Sequence, residues 1–188
     1  MRAMPVGWWA ETGTALRSPS LKQWRAELER RQEGKQFWRK GQEVNLGKDW
    51  KVTVLWPPEG GGSGRSEEDG MVLMLASGAA RLLWAGSIPG EIERELVMEH
   101  GVNLGAGVLV QGPAKRGEAN LTQAWLEAVE PRIVVRWSRL LEEDTSLSVD
   151  FSEQAWMQGI DLWKTDERGC VFLKPEPISG EWRIGDED

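Results

Sequence analysis

Residues 51–56, Lys51-Val-Thr-Val-Leu-Trp56, alternate between two faces and are rich in β-branched side chains, so they predict a strand that Pro57-Pro58 ends. Two further apolar runs, Met71-Val-Leu-Met-Leu75 and Arg81-Leu-Leu-Trp84, lie either side of Ser77-Gly78, the pattern of a hairpin. Between the first strand and this pair, residues 59–70 are glycine, serine, acid and one arginine, a flexible polar loop. Upstream, Ser18-Pro19-Ser20 precedes Leu21, Trp24 and Leu28, whose spacings of three and four predict a helix with one core-facing stripe, stopped by Gly34. Ile92, Leu96 and Val97 predict a second helix over 89–99, with Pro89 in its first turn and Gly101 at its end. Residues 108–110 read as a short buried strand, 122–129 as a helix and 132–137 as a strand. Residues 153–158 read as helical, and strands at 160–164 and 170–173 flank a turn at 166–169. Strand pairs interleaved with helices make an α/β layered domain, and the chain holds no internal repeat.

Composition narrows the chemistry. At 188 residues the chain can bury one real core. It carries 23 Lys and Arg against 30 Asp and Glu, a net charge of −7, which excludes a generally basic nucleic-acid binder but not a local basic patch. Residues 1–51 hold 11 basic and 6 acidic groups and are net positive, whereas 52–188 hold 12 and 24 and are strongly negative. No apolar run reaches the roughly 18 residues of a membrane helix, and the first residues lack the apolar core of a signal peptide. One cysteine excludes an internal disulfide framework, and one histidine excludes any site that needs two imidazoles. Twelve tryptophans stand beside 3 Phe and no Tyr, so the chain is rich in packing surface and poor in ionisable catalytic groups.

The candidate groups divide accordingly. The Gly60-Gly-Gly-Ser-Gly64 loop lacks the Lys-Ser/Thr of a phosphate-binding loop and reads as a linker. His100 ends a predicted helix, where a donor or cation caps carbonyls. The clusters Glu67-Glu68-Asp69, Glu142-Glu143-Asp144 and Asp186-Glu187-Asp188 lack calcium-loop spacing and read as solvated. Cys170, in Cys-Val-Phe-Leu, reads as a small core hydrophobe. Lys22, Arg25, Arg30, Arg31, Lys35, Arg39 and Lys40 interleave with Trp24, Phe37 and Trp38, a pattern that suits single-stranded nucleic acid, although the core stripe accounts for Trp24 first.

From about residue 8 to 173 the order of segments resembles the second half of the C-terminal metallo-β-lactamase-like domain of ComEC-type competence proteins, which take up DNA. The resemblance is carried by Gln42-Glu-Val-Asn-Leu-Gly-Lys-Asp-Trp-Lys-Val-Thr-Val-Leu-Trp-Pro-Pro58, by Met71-Val-Leu-Met-Leu75 and by Arg81-Leu-Leu-Trp-Ala-Gly-Ser-Ile-Pro-Gly-Glu-Ile-Glu-Arg-Glu-Leu96. Trp125-Leu-Glu-Ala-Val-Glu-Pro-Arg-Ile-Val-Val135 and Gly159-Ile-Asp-Leu-Trp-Lys-Thr-Asp-Glu-Arg-Gly-Cys-Val171 follow in the same order.

The resemblance implies an αββα sandwich, reduced here to roughly its C-terminal half over residues 1–174, followed by an acidic tail or edge strand at 175–188. It also implies where metal ligands would stand. The His-x-His-x-Asp-His motif has no counterpart in this sequence, the Asp of the Thr-Gly-Asp turn falls on Ser87, and the His-rich loop falls on Pro113, Ala114 and Lys115. A later histidine falls near Ser146. Without carboxylates and imidazoles such a site cannot hold two divalent ions. The expectation is therefore a non-catalytic relative with a structural or protein-interaction role, without metal or small-molecule cofactor. Its sheet would be bare on the side the lost half covers, favouring self-association or a partner that supplies that half. A nucleic-acid-binding accessory is the alternative, and a metal-dependent phosphodiesterase the third reading.

Overall fold

A seven-stranded mixed sheet organises the chain, in a computed structural model that describes residues 8–13, 19–31, 34–59, 70–113, 119–137 and 159–185. Strands β3 (Glu43–Leu46), β4 (Trp50–Trp56), β5 (Val72–Ser77) and β6 (Ala80–Gly86) pair antiparallel with one another in chain order. From β6 onward, β7 (Val108–Gln111), β8 (Ile133–Arg136) and β9 (Asp161–Lys164) are parallel. Parallel neighbours need crossovers, and helices supply two of them: α2 (Gly90–His100) between β6 and β7, and α3 (Gln123–Val129) between β7 and β8.

The sheet buries both faces. Met74, Leu83, Leu109 and Val134 point to the side that α2 and α3 cover, where Ile92, Leu96, Trp125 and Val129 meet them. Each such side chain contributes about 1.5–3 kcal/mol by leaving water. On the opposite side stand Val52 and Val54 at one end and Leu82, Val108, Val110, Ile133 and Val135 at the other.

Two small units cover that second side. One is a strand–helix–strand unit in which β1 (Trp8–Glu11) and β2 (Gly34–Phe37) pair in parallel, joined by α1 (Pro19–Arg30). Its Ala10 and Trp38 pack on Val52 and Val54. Its other face meets α1, through an ion pair from Arg25 to Glu11 and another from Lys35 to Glu29. The second is an antiparallel hairpin of β10 (Phe172–Pro175) and β11 (Trp182–Gly185), whose Leu173, Trp182 and Ile184 cover Leu82, Val108 and Ile133. Helix, ribbon, sheet and helices follow one another, so the expected αββα layer order is present, with two strands among the described residues of the outer sheet.

Several expectations need correction. The sheet side expected to be bare is largely buried, because these two units lie on it. Leu21 and Trp24 are 52% and 60% exposed, so the α1 stripe enters the core through Leu28 alone; a two-stranded ribbon is too narrow to cover the rest. Cys170 is exposed rather than in the core, since it precedes β10. The two strands expected either side of residues 166–169 are present and belong to different sheets: β9 closes the main sheet and β10 pairs with β11. The 60–69 loop, the 153–158 helix and the three acidic clusters lie outside the described residues.

The C-terminal hairpin is locked onto the β5–β6 turn. Gly78 has φ +57°, and a Cβ there would stand 2.3 Å from the Pro177 carbonyl oxygen. Ala79 N–H donates to that same oxygen at 2.7 Å. Gly78→Ala is expected to cost about 2 kcal/mol or more from strain and clash together, read as a lower urea midpoint. An unchanged midpoint would show that the hairpin does not seat on this turn.

Candidate functional site

Open parallel sheets place ligands beyond the carboxyl ends of their strands. Here that edge is formed where β6, β7 and β8 end. Gly112 N–H donates to the Gly86 carbonyl at 2.7 Å, which sets Ser87 and Pro113 on neighbouring strand exits. Ser87 is half-buried in a turn and Pro113 is buried. Ala114, Lys115 and Ser146 lie outside the described residues.

Beneath this edge lies a buried polar cluster that the sequence reading did not single out. Glu93 projects from the first turns of α2 and is fully buried. Its Oε1 accepts from Gln111 Nε2 at 2.6 Å and from Leu121 N–H at 2.7 Å, and its Oε2 accepts from Thr122 N–H at 2.9 Å. Gln111, the last residue of β7, turns its Oε1 to Trp125 Nε1–H at 2.9 Å. Asn120 Nδ2 donates to the carbonyls of Gly112, at 2.9 Å, and Ile88, at 3.2 Å. Arg136, from β8, forks onto Asn120 Oδ1 with both terminal nitrogens at 3.3 Å.

These bonds fix local geometry. Leu121 has φ +58°, a left-handed conformation that costs an L-residue about 1–3 kcal/mol, and the Glu93 carboxylate holds its N–H there. Thr122 then caps α3, its hydroxyl accepting from Trp125 N–H at 3.4 Å. Glu93 was legible in principle, since it precedes Leu96 and Val97 by three and four residues and so shares their inward face.

Chemically the cluster is a clamp. A general base needs a lone pair aimed at a substrate, and a metal ligand needs one aimed at an ion. Both Glu93 oxygens instead hold buried donors within the fold. Ser87 and Pro113 add one hydroxyl and no carboxylate or imidazole. This donor set does not fit a two-metal centre. Among the described residues, no three His, Cys, Asp or Glu side chains gather as a metal group.

Tryptophans close the edge. Trp84 and Trp137 stack at 5.4 Å between ring centroids, with Trp84 43% exposed. Gly112 lies under the Trp137 indole, where a Cβ would stand 2.2 Å from the ring, so the absence of a side chain permits that packing.

The basic residues expected as a nucleic-acid face are brought together around α1, but most already meet carboxylates. Arg25 pairs with Glu11, Arg30 and Arg31 with Glu27, Lys35 with Glu11 and Glu29, and Lys40 with Glu99. Lys35 also sits over the Trp9 and Phe37 rings, at 5.1 and 4.8 Å. Arg39 donates to the Trp38 carbonyl, and Lys22 is exposed and meets no carboxylate among the described residues. His100 is the last residue of α2; its Nε2 lies 3.9 Å from Glu99 and has no hydrogen-bond partner among the described residues, and the cap bond at this helix end is the Gly101 N–H donating to the Val97 carbonyl.

The Glu27 fork has a measurable pH signature. Hydrogen bonds from Arg30 and then Arg31 hold its carboxyl at about 2, below its ordinary 4.5. Its support of α1 is therefore fully present above pH 4.5 and is lost as pH falls towards 2. A carboxyl-carbon NMR titration should give a midpoint near 2; a midpoint near 4.5 would mean that the fork does not form in solution.

No family model matches this chain. No curated protein matches it either. Among solved structures it is similar to a protein described as a metal-dependent hydrolase from Parabacteroides distasonis, with 13% identity and a TM-score of 0.49, over 74% of this chain and 60% of that one. It is also similar to CmlA, a diiron β-hydroxylase from Streptomyces venezuelae, with 10% identity and a TM-score of 0.45, over 70% of this chain and 33% of that one. The chain thus spans less than two thirds of either protein's length.

Proposed function

We propose that this chain is a metal-free, non-catalytic relative of metallo-β-lactamase-fold hydrolases, with a structural or protein-interaction role. One observation carries the reading: at the carboxyl edge of β6–β8, the one buried carboxylate of the cluster, Glu93, is saturated by donors of its own fold. The αββα layer order and the Ser87 and Pro113 positions are consistent with such an origin. A link to ComEC-type proteins and DNA uptake belongs to the same proposal and rests on the five sequence segments.

The test is turnover of a generic phosphodiester, bis-p-nitrophenyl phosphate, with added zinc or manganese. No hydrolysis above the metal-only rate is expected. Chelator-sensitive hydrolysis that survives repurification would overturn the reading in favour of a phosphodiesterase.

A further inference from the structure

The β1–β2 ribbon ends in an open strand edge at β2. Trp38 N–H donates to the Glu11 carbonyl at 3.0 Å, one step beyond the Glu11–Phe37 pair of the parallel register. Main-chain groups alternate along a strand, so Gln36 and Trp38 turn theirs to β1 while Lys35 and Phe37 turn theirs away from it. The ribbon has no third strand, and no hydrogen bond satisfies those outward groups among the described residues. All four residues of β2 are exposed. Lys35 is exposed although its side chain is only 30% so, which makes the main chain the open part. A lysine on an edge strand normally deters pairing by carrying a solvated charge outward. This one is turned back: its ammonium meets Glu11 and Glu29 and lies over the Trp9 and Phe37 rings. Phe37, on the same face of the strand, is 50% exposed.

We propose that two copies of this chain pair through β2, antiparallel about a twofold axis at Gln36, joining their ribbons into one outer sheet. In that register Lys35 of each copy stands opposite Phe37 of the other and exchanges both main-chain bonds with it. The occupant is a second copy because this edge is its own complement. Its outward donors and acceptors keep their spacing when the strand is reversed, and an ammonium meets an aromatic ring rather than a second ammonium. The pairing widens an outer layer that is here a ribbon of two strands over a main sheet of seven. The contact is isologous and closes on itself, so association stops at the dimer. This names the partner for the interaction role proposed above and rests on that reading.

A contact of four residues a side is small, so in sedimentation velocity of the full chain dimers should appear towards the top of a series from about 10 µM to about 1 mM, with no larger species. Amide hydrogen exchange, followed residue by residue, reads the register. The Lys35 and Phe37 amides should slow severalfold across the same series, while those of Gln36 and Trp38, already bonded to β1, stay unchanged. Phe37→Lys sets an ammonium opposite each Lys35 and should weaken dimerisation by about tenfold, most at low salt; Phe37→Glu sets a carboxylate there and should not weaken it. Equal weakening by the two variants overturns the register, because loss of the ring alone would then account for both. A chain that stays monomeric throughout overturns the contact. So does a dimer that leaves the Lys35 and Phe37 amides fast and protects β3 or β9, at the margins of the main sheet, instead. A monomer that also fails to hydrolyse the phosphodiester would sink this contact while leaving the non-catalytic reading intact; a dimer with metal-dependent turnover would do the reverse.

Discussion

Glu93→Ala is expected to destabilise the fold by about 3–5 kcal/mol, the largest single loss among the polar residues. The substitution removes the acceptor for two buried donors, Gln111 Nε2 and the Leu121 N–H, and for the N–H of half-buried Thr122. Each orphaned donor costs about 1–3 kcal/mol, offset in part where water enters the space left by the side chain. Leu121 also loses the bond that holds its left-handed backbone, so the 119–122 segment should loosen with it. For a chain of this size the thermal midpoint should drop on the order of 10 °C. Glu93→Gln keeps the volume but points an amide N–H₂ at a donor, and should fall between wild type and alanine. Paired with Gln111→Ala, the double variant should lose less than the two singles combined, because both residues serve one network. A Glu93→Ala protein within about 1 kcal/mol of wild type would show that this carboxylate does not organise the edge.

Trp125→Ala should have an effect of similar size by a different route. Trp125 is fully buried between α3 and the sheet, and truncation leaves a cavity lined by Leu83, Leu109 and their neighbours, with an expected loss of about 3–5 kcal/mol. It also removes the donor to Gln111 Oε1. Trp125→Phe separates the two terms: it refills most of the space but leaves that oxygen unpaired, so about 1–3 kcal/mol should remain. Urea unfolding at matched slopes measures both. A phenylalanine variant as stable as wild type would mean that the indole N–H contributes nothing beyond packing.

The parts of this fold that announced themselves were those whose periodicity matched their burial. Val52 and Val54 alternate into the sheet, Ile92 and Leu96 fall on one side of α2, and Thr122 stands where a cap is needed. Strands β1, β2 and β3 were not read from the pattern. Gly34-Lys-Gln-Phe37 has no apolar alternation and pairs only because α1 returns the chain beside Trp8–Glu11. Trp24 misled for a related reason: its spacing promised a core, but its helix rests on a ribbon two strands wide. At the candidate site, Ser87 and Pro113, two of the positions implied by resemblance, stand at strand ends, yet the residues that fill that edge are Glu93, Gln111, Asn120 and Arg136. They come from four separate segments and share no spacing, so only the fold brings them together.

The abundance of tryptophan now has specific placements. Trp125 anchors the helical side, Trp38 seats the β1–β2 ribbon, and Trp182 locks the C-terminal hairpin by donating to the Arg81 carbonyl at 3.2 Å. Indole suits such positions because one ring fills a layer while a single N–H finds one acceptor.

The central claim is that the polar groups at the carboxyl edge of β6–β8 hold the fold together and hold no metal. Thermal unfolding of the full chain in chelator and in saturating zinc or manganese tests it most directly, because any ion that binds the native state raises the midpoint by mass action. The account predicts the same midpoint in all three conditions and less than stoichiometric metal in the purified protein. A metal-dependent rise, with one or two ions bound per chain and removed by chelator, would contradict it.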